Sequence, residues 1–198
     1  MKVINYAGSN AVGKSTRTSE LVRYLDSKFK KEAVEVDGTM VGNLYENDFF
    51  VVGKYRKKNL LWTSLDAAFF IAWEHRIQAL KQAEKMGAKT AFMEGYFGNR
   101  WKGAPDFLKE HGYEEQLWLF TFYDKVEDYL ERTNGRSGKN RDLEWAKNSS
   151  GWADNKRFKD MYETIDQPKI LIPLKAKKDI LIEILFNDKL ETKESEWV

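Results

Sequence analysis

The sequence predicts an α/β fold in which about five parallel strands form a sheet flanked by helices, within one domain spanning residues 1–198. Short apolar segments alternate with amphipathic helical segments, and a glycine-rich loop follows the first predicted strand. The chain has no cysteine and 2 histidines, which excludes disulfides and thiolate metal sites and disfavours a multi-histidine metal centre. Its 33 basic and 31 acidic residues nearly balance, so overall charge does not mark a binder of polyanions.

The predicted strands are short and apolar, and most end at a glycine, a proline or an acidic residue. In chain order they cover residues 3–6, 33–36, 49–52, 90–93, 117–123 and 169–172, and residues 38–48 are predicted to form a loop. Ligands of parallel sheets bind beyond the carboxyl ends of the strands. We therefore expect the functional site among the residues that follow strands, namely Gly8, Asp37, Glu94, Asp124 and Pro173.

The predicted helices separate these strands. Apolar residues between positions 21 and 29 recur at helical spacing, which indicates the first helix. A second helix is predicted to begin at a cap on Thr63 or Ser64 and to end near Met86. Further helices are predicted over residues 105–112, 124–132, 158–165 and 177–186, with a frayed polar tail over residues 187–198.

One motif carries specific chemistry, because residues 8–15 fit the phosphate-binding pattern G-x-x-x-x-G-K-[ST] between a predicted strand and a predicted helix. In such a loop, backbone N–H groups and the helix N-terminus surround phosphate oxygens. Lys14 is then expected to reach the β- and γ-phosphates of ATP, and the Ser15 hydroxyl to hold Mg²⁺. The predicted ATP-binding residues of this loop are Gly8, Ser9, Asn10, Ala11, Val12, Gly13, Lys14, Ser15 and Thr16.

Residues 133–152 are rich in glycine, serine and asparagine and are predicted to form a mobile lid. Between residues 132 and 159 there are eight basic and three acidic side chains. Arg132 and Arg136 are predicted to bind ATP and to neutralise charge on the phosphoryl group during its transfer. A solvated basic surface loop is the alternative interpretation.

Three carboxylates are candidates for the chemistry. Asp37 and Asp66 are rival candidates to deprotonate an acceptor hydroxyl, and Asp66 has the alternative role of an acid in the first turn of a helix. Glu94 is a candidate to contact Mg²⁺ through water, and its alternative role is to accept hydrogen bonds from nearby backbone N–H groups.

Two segments interleave basic and aromatic residues, a pattern that suits phosphate contacts combined with stacking on a base. The alternative is that these rings simply cover the hydrophobic core. The candidate substrate-binding residues of the two segments are Tyr55, Arg56, Lys57, Lys58, Trp62, Tyr96, Arg100 and Trp101.

Together, the phosphate-binding loop, the strand ends and the basic segment resemble the thymidylate-kinase-like P-loop kinases. More narrowly, residues 51–55 followed by 65–66, residues 92–96 and residues 124–136 are similar to the phage 5-hydroxymethyluracil DNA kinases. This resemblance implies a P-loop kinase fold and an ATP- and Mg²⁺-dependent enzyme that phosphorylates the hydroxymethyl group of a modified pyrimidine in DNA. The alternatives are a deoxynucleoside or deoxynucleoside-monophosphate kinase, which acts on a small nucleotide substrate, and a nucleic-acid-binding ATPase.

The chain departs from these families at two places. Glu94-Gly95-Tyr96 stands where typical thymidylate kinases carry an Asp-Arg pair, which disfavours a standard nucleoside-monophosphate kinase. Residues 63–65 stand where the DNA kinases have glycines before their aspartate, so the role of Asp66 stays open. No segment approaches the about 20 apolar residues of a membrane span, and the first residues do not form a signal peptide, so we expect a cytoplasmic protein that does not bind membranes.

Overall fold

The computed structural model describes residues 1–58, 61–65, 73–95 and 101–186, and within them the predicted α/β class is confirmed. The strands are β1 (Lys2–Gly8), β2 (Lys31–Val36), β3 (Thr39–Tyr45), β4 (Phe49–Val52), β5 (Lys54–Lys58), β6 (Leu61–Leu65), β7 (Thr90–Glu94), β8 (Gln116–Thr121) and β9 (Lys169–Leu171). The helices are α1 (Lys14–Lys28), α2 (Trp73–Lys85), α3 (Ala104–Glu110), α4 (Val126–Ser137), α5 (Leu143–Asn148), α6 (Ser150–Thr164) and α7 (Ile180–Phe186).

The main sheet has seven strands in the order β2-β3-β4-β7-β1-β8-β9. Five adjacent strands are parallel to one another, namely β4, β7, β1, β8 and β9, whereas β3 pairs antiparallel with both β2 and β4. The expectation of a purely parallel sheet is therefore wrong, and so is the prediction of a loop over residues 38–48. The physical reason is a two-residue hairpin turn, in which Asp37 and Gly38 both have positive φ (50° and 70°) and reverse the chain directly into β3.

A second, smaller sheet consists of the hairpin β5–β6. Thr63 and Ser64 pair there with Arg56 and Tyr55, so the predicted helix start at Thr63 or Ser64 is wrong. Aromatic and β-branched residues around these positions suit a strand, and pairing with β5 satisfies their backbone groups. Helix α2 is described from Trp73 to Lys85.

Residues 133–152 are mostly helical, in contrast to the predicted glycine-rich loop. Helix α4 continues to Ser137 and ends at Gly138, whose φ is 65°. The Asn134 side chain then binds both the backbone N–H and the backbone carbonyl of Arg141, at 3.0 and 2.9 Å. Side-chain caps from Asp142 and Ser149 start α5 and α6. The polar residues that suggest a loop therefore act as helix caps and turn clamps.

Apolar side chains cover both faces of the main sheet. On one face, Val3 and Ala7 of β1 pack within a core that includes residues of α2, α3 and α6. On the other face, Ile4 and Tyr6 pack with residues of α1 and α7. Alternate β1 residues thus face opposite layers, as expected for a central strand of a parallel sheet. Among the helices described, none has the length and apolar character needed to cross a bilayer.

Candidate functional site

Strand order places a crevice beside the glycine-rich loop. The chain continues from β1 through α1 to β2, which lies at the edge of the sheet on the β7 side of β1, whereas β8 leads to β9 on the opposite side. The connections from the adjacent strands β1 and β8 therefore diverge. Ligands of α/β sheets bind at such a point, outside the carboxyl ends of the strands. Residues 9–13 lie at this position, between the end of β1 and the start of α1.

Two glycines allow the loop to turn. Gly8 has a φ of 154°, and a Cβ there would lie 2.1 Å from the Thr121 carbonyl oxygen of β8, so the close strand packing requires glycine. Gly13 has a φ of 91° and immediately precedes α1. Ala11 also has a positive φ (60°), a conformation that costs free energy for a residue with a Cβ. Backbone strain held in a loop at the sheet's ligand-binding edge is typical of a functional segment.

A cavity of about 600 Å³ is formed by the loop, the first residues of α1, the end of β7 and helix α4. Three cationic side chains and one carboxylate line it, and the N-terminus of α1 adds partial positive charge. This excess of positive charge suits a polyanionic ligand such as a triphosphate. The lining residues are Asn10, Ala11, Val12, Gly13, Lys14, Ser15, Thr16, Glu94, Arg132 and Arg136.

The cations of this cavity are held by backbone and side-chain oxygens. The buried Lys14 donates through Nζ to the carbonyl oxygens of Gly8 and Ser9, at 2.9 and 2.7 Å. Arg136 donates to the Asn10 side-chain oxygen at 3.4 Å. These contacts hold the ammonium and guanidinium groups beside the loop, so the structure brings together the predicted phosphate-binding residues of the loop and α4.

Glu94 accepts hydrogen bonds from two different elements. It ends β7, is 2 % exposed, and accepts from the Ser15 hydroxyl at 3.0 Å through Oε1. Through Oε2 it accepts from the Tyr55 hydroxyl at 3.2 Å. Tyr55, predicted to bind substrate, thus contacts the acidic residue at the cavity wall and joins the β5–β6 hairpin to it.

A divalent cation fits this arrangement. The described residues contain no group of three or more His, Cys, Asp or Glu side chains that could hold a metal ion by themselves. Mg²⁺ at nucleotide sites needs only one or two protein oxygens, since phosphate and water oxygens supply the rest. Ser15 and Glu94 place a hydroxyl and a carboxylate within 3.0 Å of each other at the cavity, which is the donor set that Mg²⁺ prefers.

Sequence reasoning missed two buried polar residues below the loop, Arg17 and Asn155. Asn155 of α6 accepts hydrogen bonds from the Ser9 hydroxyl and, at 2.7 Å, from the Tyr123 backbone N–H. Arg17 contacts the hydroxyl of Tyr6, and burial raises the pKa of Tyr6 above its ordinary value while Arg17 opposes the shift. The sequence could have identified Arg17 by its position, because it lies on the same face of the helix as the apolar residues four and eight positions later.

Asp37 does not line the cavity. It occupies the turn between β2 and β3, beside a separate groove of about 340 Å³ formed with α2. Three strands separate β2 from β1, which corresponds to about 19 Å at the usual strand spacing. Asp66, the rival carboxylate, lies outside the described residues, as do Tyr96 and Arg100.

The remaining predicted substrate residues belong to the two segments that follow β4 and β7 along the chain. The β5–β6 hairpin begins directly after β4 and contains Arg56, Lys57, Lys58 and Trp62. Trp101 is 46 % exposed, and its ring packs against Trp73 and Phe107 with centroid distances of 6.0 and 5.5 Å. The indole ring of Trp101 therefore packs against two aromatic neighbours and stays partly exposed to solvent.

Comparison with models of protein families and with curated proteins finds no match to this chain.

Proposed function

We propose that this chain is an ATP- and Mg²⁺-dependent kinase that transfers the γ-phosphoryl group of ATP to a hydroxyl group. The observation that carries this proposal is the complete glycine-lysine-serine loop at the point where strand connections diverge, with Lys14, Arg132 and Arg136 around one cavity. Phosphoryl transfer depends almost entirely on positioning and on neutralising charge, and this cavity supplies groups for both.

Each group has a physical role in this proposal. The loop N–H groups and the N-terminus of α1 bind the phosphate oxygens, and Lys14 adds a fixed positive charge. Ser15 and Glu94 would hold Mg²⁺, which would supply positive charge to neutralise the phosphate oxygens. Arg132 and Arg136 stabilise the additional charge of the transition state.

The favoured acceptor is the hydroxymethyl group of 5-hydroxymethyluracil within DNA. The basic β5–β6 hairpin supports this choice because it leaves the sheet at the cavity edge and is joined to Glu94 through Tyr55. Its cationic residues suit contacts with DNA phosphates. A base in a duplex must be extruded to reach an active site, and the exposed ring of Trp101 suits stacking in that process.

The reaction forms a bond between the acceptor oxygen and the γ-phosphorus and breaks the bond from that phosphorus to the oxygen bridging the β- and γ-phosphates. The products are ADP and a phosphomonoester, and the hydroxyl proton passes to a carboxylate base. Asp37 lies away from the cavity. The base that we propose is Asp66, the other carboxylate that the sequence offers for this role.

Incubation with γ-labelled ATP tests the proposal, using duplex DNA with and without 5-hydroxymethyluracil, the free modified nucleotide, and no acceptor. Label on modified DNA is expected. Label on the free nucleotide alone would support the nucleotide-kinase alternative, and free phosphate in every reaction would support an ATPase.

Lys14→Ala provides the matched test of the loop. It is expected to reduce transfer by at least about 100-fold because it removes the phosphate-binding cation. Lys28→Ala, an exposed lysine in the last turn of the same helix, is the control and is expected to retain full activity. Circular dichroism and thermal unfolding check that both variants fold. Undiminished transfer by folded Lys14→Ala protein would overturn the assignment of the loop.

A further inference from the structure

Arg17 is a buried cation directly beneath the phosphate-binding loop. It lies one turn into α1 and is only 4 % exposed. Burying a guanidinium group is costly unless hydrogen bonds satisfy its donors, so its partners indicate what it is there to hold. Each partner in the described part of the chain is a neutral oxygen, and these oxygens come from three separate segments.

One nitrogen of the guanidinium group, Nη1, binds the first two segments. It donates to the Tyr6 hydroxyl of β1 and to the carbonyl oxygen of Val12 in the phosphate-binding loop, both at 3.0 Å. The other nitrogen, Nη2, binds the segment after β9. It donates to the carbonyl oxygens of Pro173, Leu174 and Ala176 at 3.1, 2.9 and 3.3 Å.

The carbonyl oxygen of Leu174 connects this network to the cavity. It also accepts a hydrogen bond from Nη2 of Arg132, at 3.3 Å. Arg132 lines the cavity formed by the loop. A continuous path of hydrogen bonds therefore runs from the loop carbonyl of Val12 through Arg17 and Leu174 to the guanidinium group of Arg132.

This geometry suits arginine and no other side chain. The planar guanidinium group presents five donors in a fixed fork, so Nη1 and Nη2 can bind groups on opposite sides at the same time. A lysine ammonium is a single point with three donors, and it cannot span both the loop and the segment after β9 in the same way.

We propose that Arg17 is a positioning residue that holds the phosphate-binding loop and Arg132 in register, so that Arg132 meets the transferring phosphoryl group. This inference rests on the proposed kinase function. Arg17 acts through Arg132 and through the loop, and it does not touch the substrate. Its loss therefore displaces Arg132 even though the Arg132 side chain itself is intact.

A double-mutant cycle tests this coupling. The proteins are wild type, Arg17→Gln, Arg132→Ala and the double variant, and kcat and KM for ATP are measured in the transfer assay. Arg132→Ala alone is expected to lower kcat about 100-fold. In the Arg17→Gln background, Arg132→Ala is expected to lower kcat only about tenfold, because substitutions within one hydrogen-bond network have non-additive effects.

A control cycle uses Arg23→Gln with Arg132→Ala. Arg23 is an exposed arginine on the same helix that pairs with Glu20, so the two effects are expected to multiply. Arg17→Lys keeps the charge and is a milder change if Arg17→Gln folds poorly. It is expected to keep the thermal stability closer to wild type while showing the same reduced dependence on Arg132.

The outcomes separate the two proposals. If wild type transfers phosphate and Arg132→Ala lowers kcat by the same factor in wild type and in the Arg17→Gln variant, Arg17 is only structural and this inference is overturned. If wild type transfers no phosphate but binds ATP, the kinase proposal fails, and the same cycle read in the dissociation constant for ATP decides the coupling. If wild type neither binds nor consumes ATP, both proposals are overturned.

Discussion

Two carboxylates at the carboxyl-end edge of the sheet, Glu94 and Asp37, have different surroundings. Each directly ends or follows a strand, and the sequence made both candidates for catalysis or metal binding. Glu94 is 2 % exposed and accepts hydrogen bonds from Ser15 and Tyr55. Asp37 is an exposed turn residue in a groove beside α2.

The difference shows that strand order, and not the residue following a strand, determines which side chains share a site. Strand β7 is the immediate neighbour of β1, whereas β2 lies at the far edge of the sheet. The tight turn at Asp37 and Gly38 leads into an antiparallel strand and so holds β2 there. Proximity to the loop after β1 is what separates a candidate site residue from a turn residue.

Substitutions of Glu94 and of Asp37 are expected to differ most in their effect on phosphoryl transfer. Glu94→Gln is expected to lower phosphoryl transfer by at least about 100-fold and to raise the Mg²⁺ concentration needed for activity, because it removes the anionic oxygen beside Ser15. Asp37→Asn is expected to change activity less than about twofold. Initial rates at several Mg²⁺ concentrations measure both effects. A large loss in Asp37→Asn protein with normal thermal stability would contradict the comparison.

A pair of arginines in the basic segment sharpens the same distinction. Arg136 lines the cavity, whereas Arg141 stacks on Trp145 at 4.2 Å and does not line it. Arg136→Ala is expected to lower kcat about 50-fold and to change the dissociation constant for ATP less than about threefold, because the charge it stabilises develops in the transition state. Arg141→Ala is the control and is expected to retain kcat. Steady-state kinetics and ATP titration separate the two effects, and a pure change in ATP affinity at Arg136 would disprove the transition-state role.

Two lysine pairs compare the hairpin with the groove near Asp37. Lys57→Ala with Lys58→Ala is expected to raise KM for modified DNA about tenfold and to lower its salt dependence by a slope of about 2, because each lysine neutralises a phosphate. Lys81→Ala with Lys85→Ala removes two exposed lysines from α2 beside Asp37 and is expected to change KM little. KM measured between 50 and 200 mM salt tests this. Equal effects of the two pairs would argue for non-specific attraction of DNA.

The smallest expected effect concerns the hydrogen bond between Tyr55 and Glu94. Tyr55→Phe removes the hydroxyl that donates to Oε2 at 3.2 Å while keeping the buried ring. We expect a three- to fivefold loss of kcat/KM, because Glu94 remains present but is less well oriented. Tyr45→Phe is the control, because it removes a hydroxyl that donates a hydrogen bond to Asp26, and neither residue lines the cavity. A loss as large as that of Glu94→Gln would mean that Tyr55 contacts substrate directly.

The parts of the fold that the sequence predicted correctly depend on short-range patterns. The apolar run of β8, the buried strand β1 and the helix ending before Gly87 follow from hydrophobic periodicity and local turn chemistry. The wrong predictions involve pairing between strands. Thr63 and Ser64 are good helix caps in isolation, but β5 offers them backbone partners, and tertiary pairing overrides local propensity.

The sequence by itself determined the α/β class and the glycine-rich loop with its lysine and serine, because a turn and two side chains at fixed spacing depend only on neighbours in the chain. Only the tertiary structure decided that Glu94 meets Ser15 and Tyr55, that three strands lie between β1 and the strand that Asp37 follows, and that Arg17 links Val12 to Leu174. The contacts of Tyr55 with Glu94, Ser15 with Glu94 and Arg17 with Leu174 join residues that are 39, 79 and 157 positions apart. Their geometry follows from strand order and burial, which no local pattern encodes.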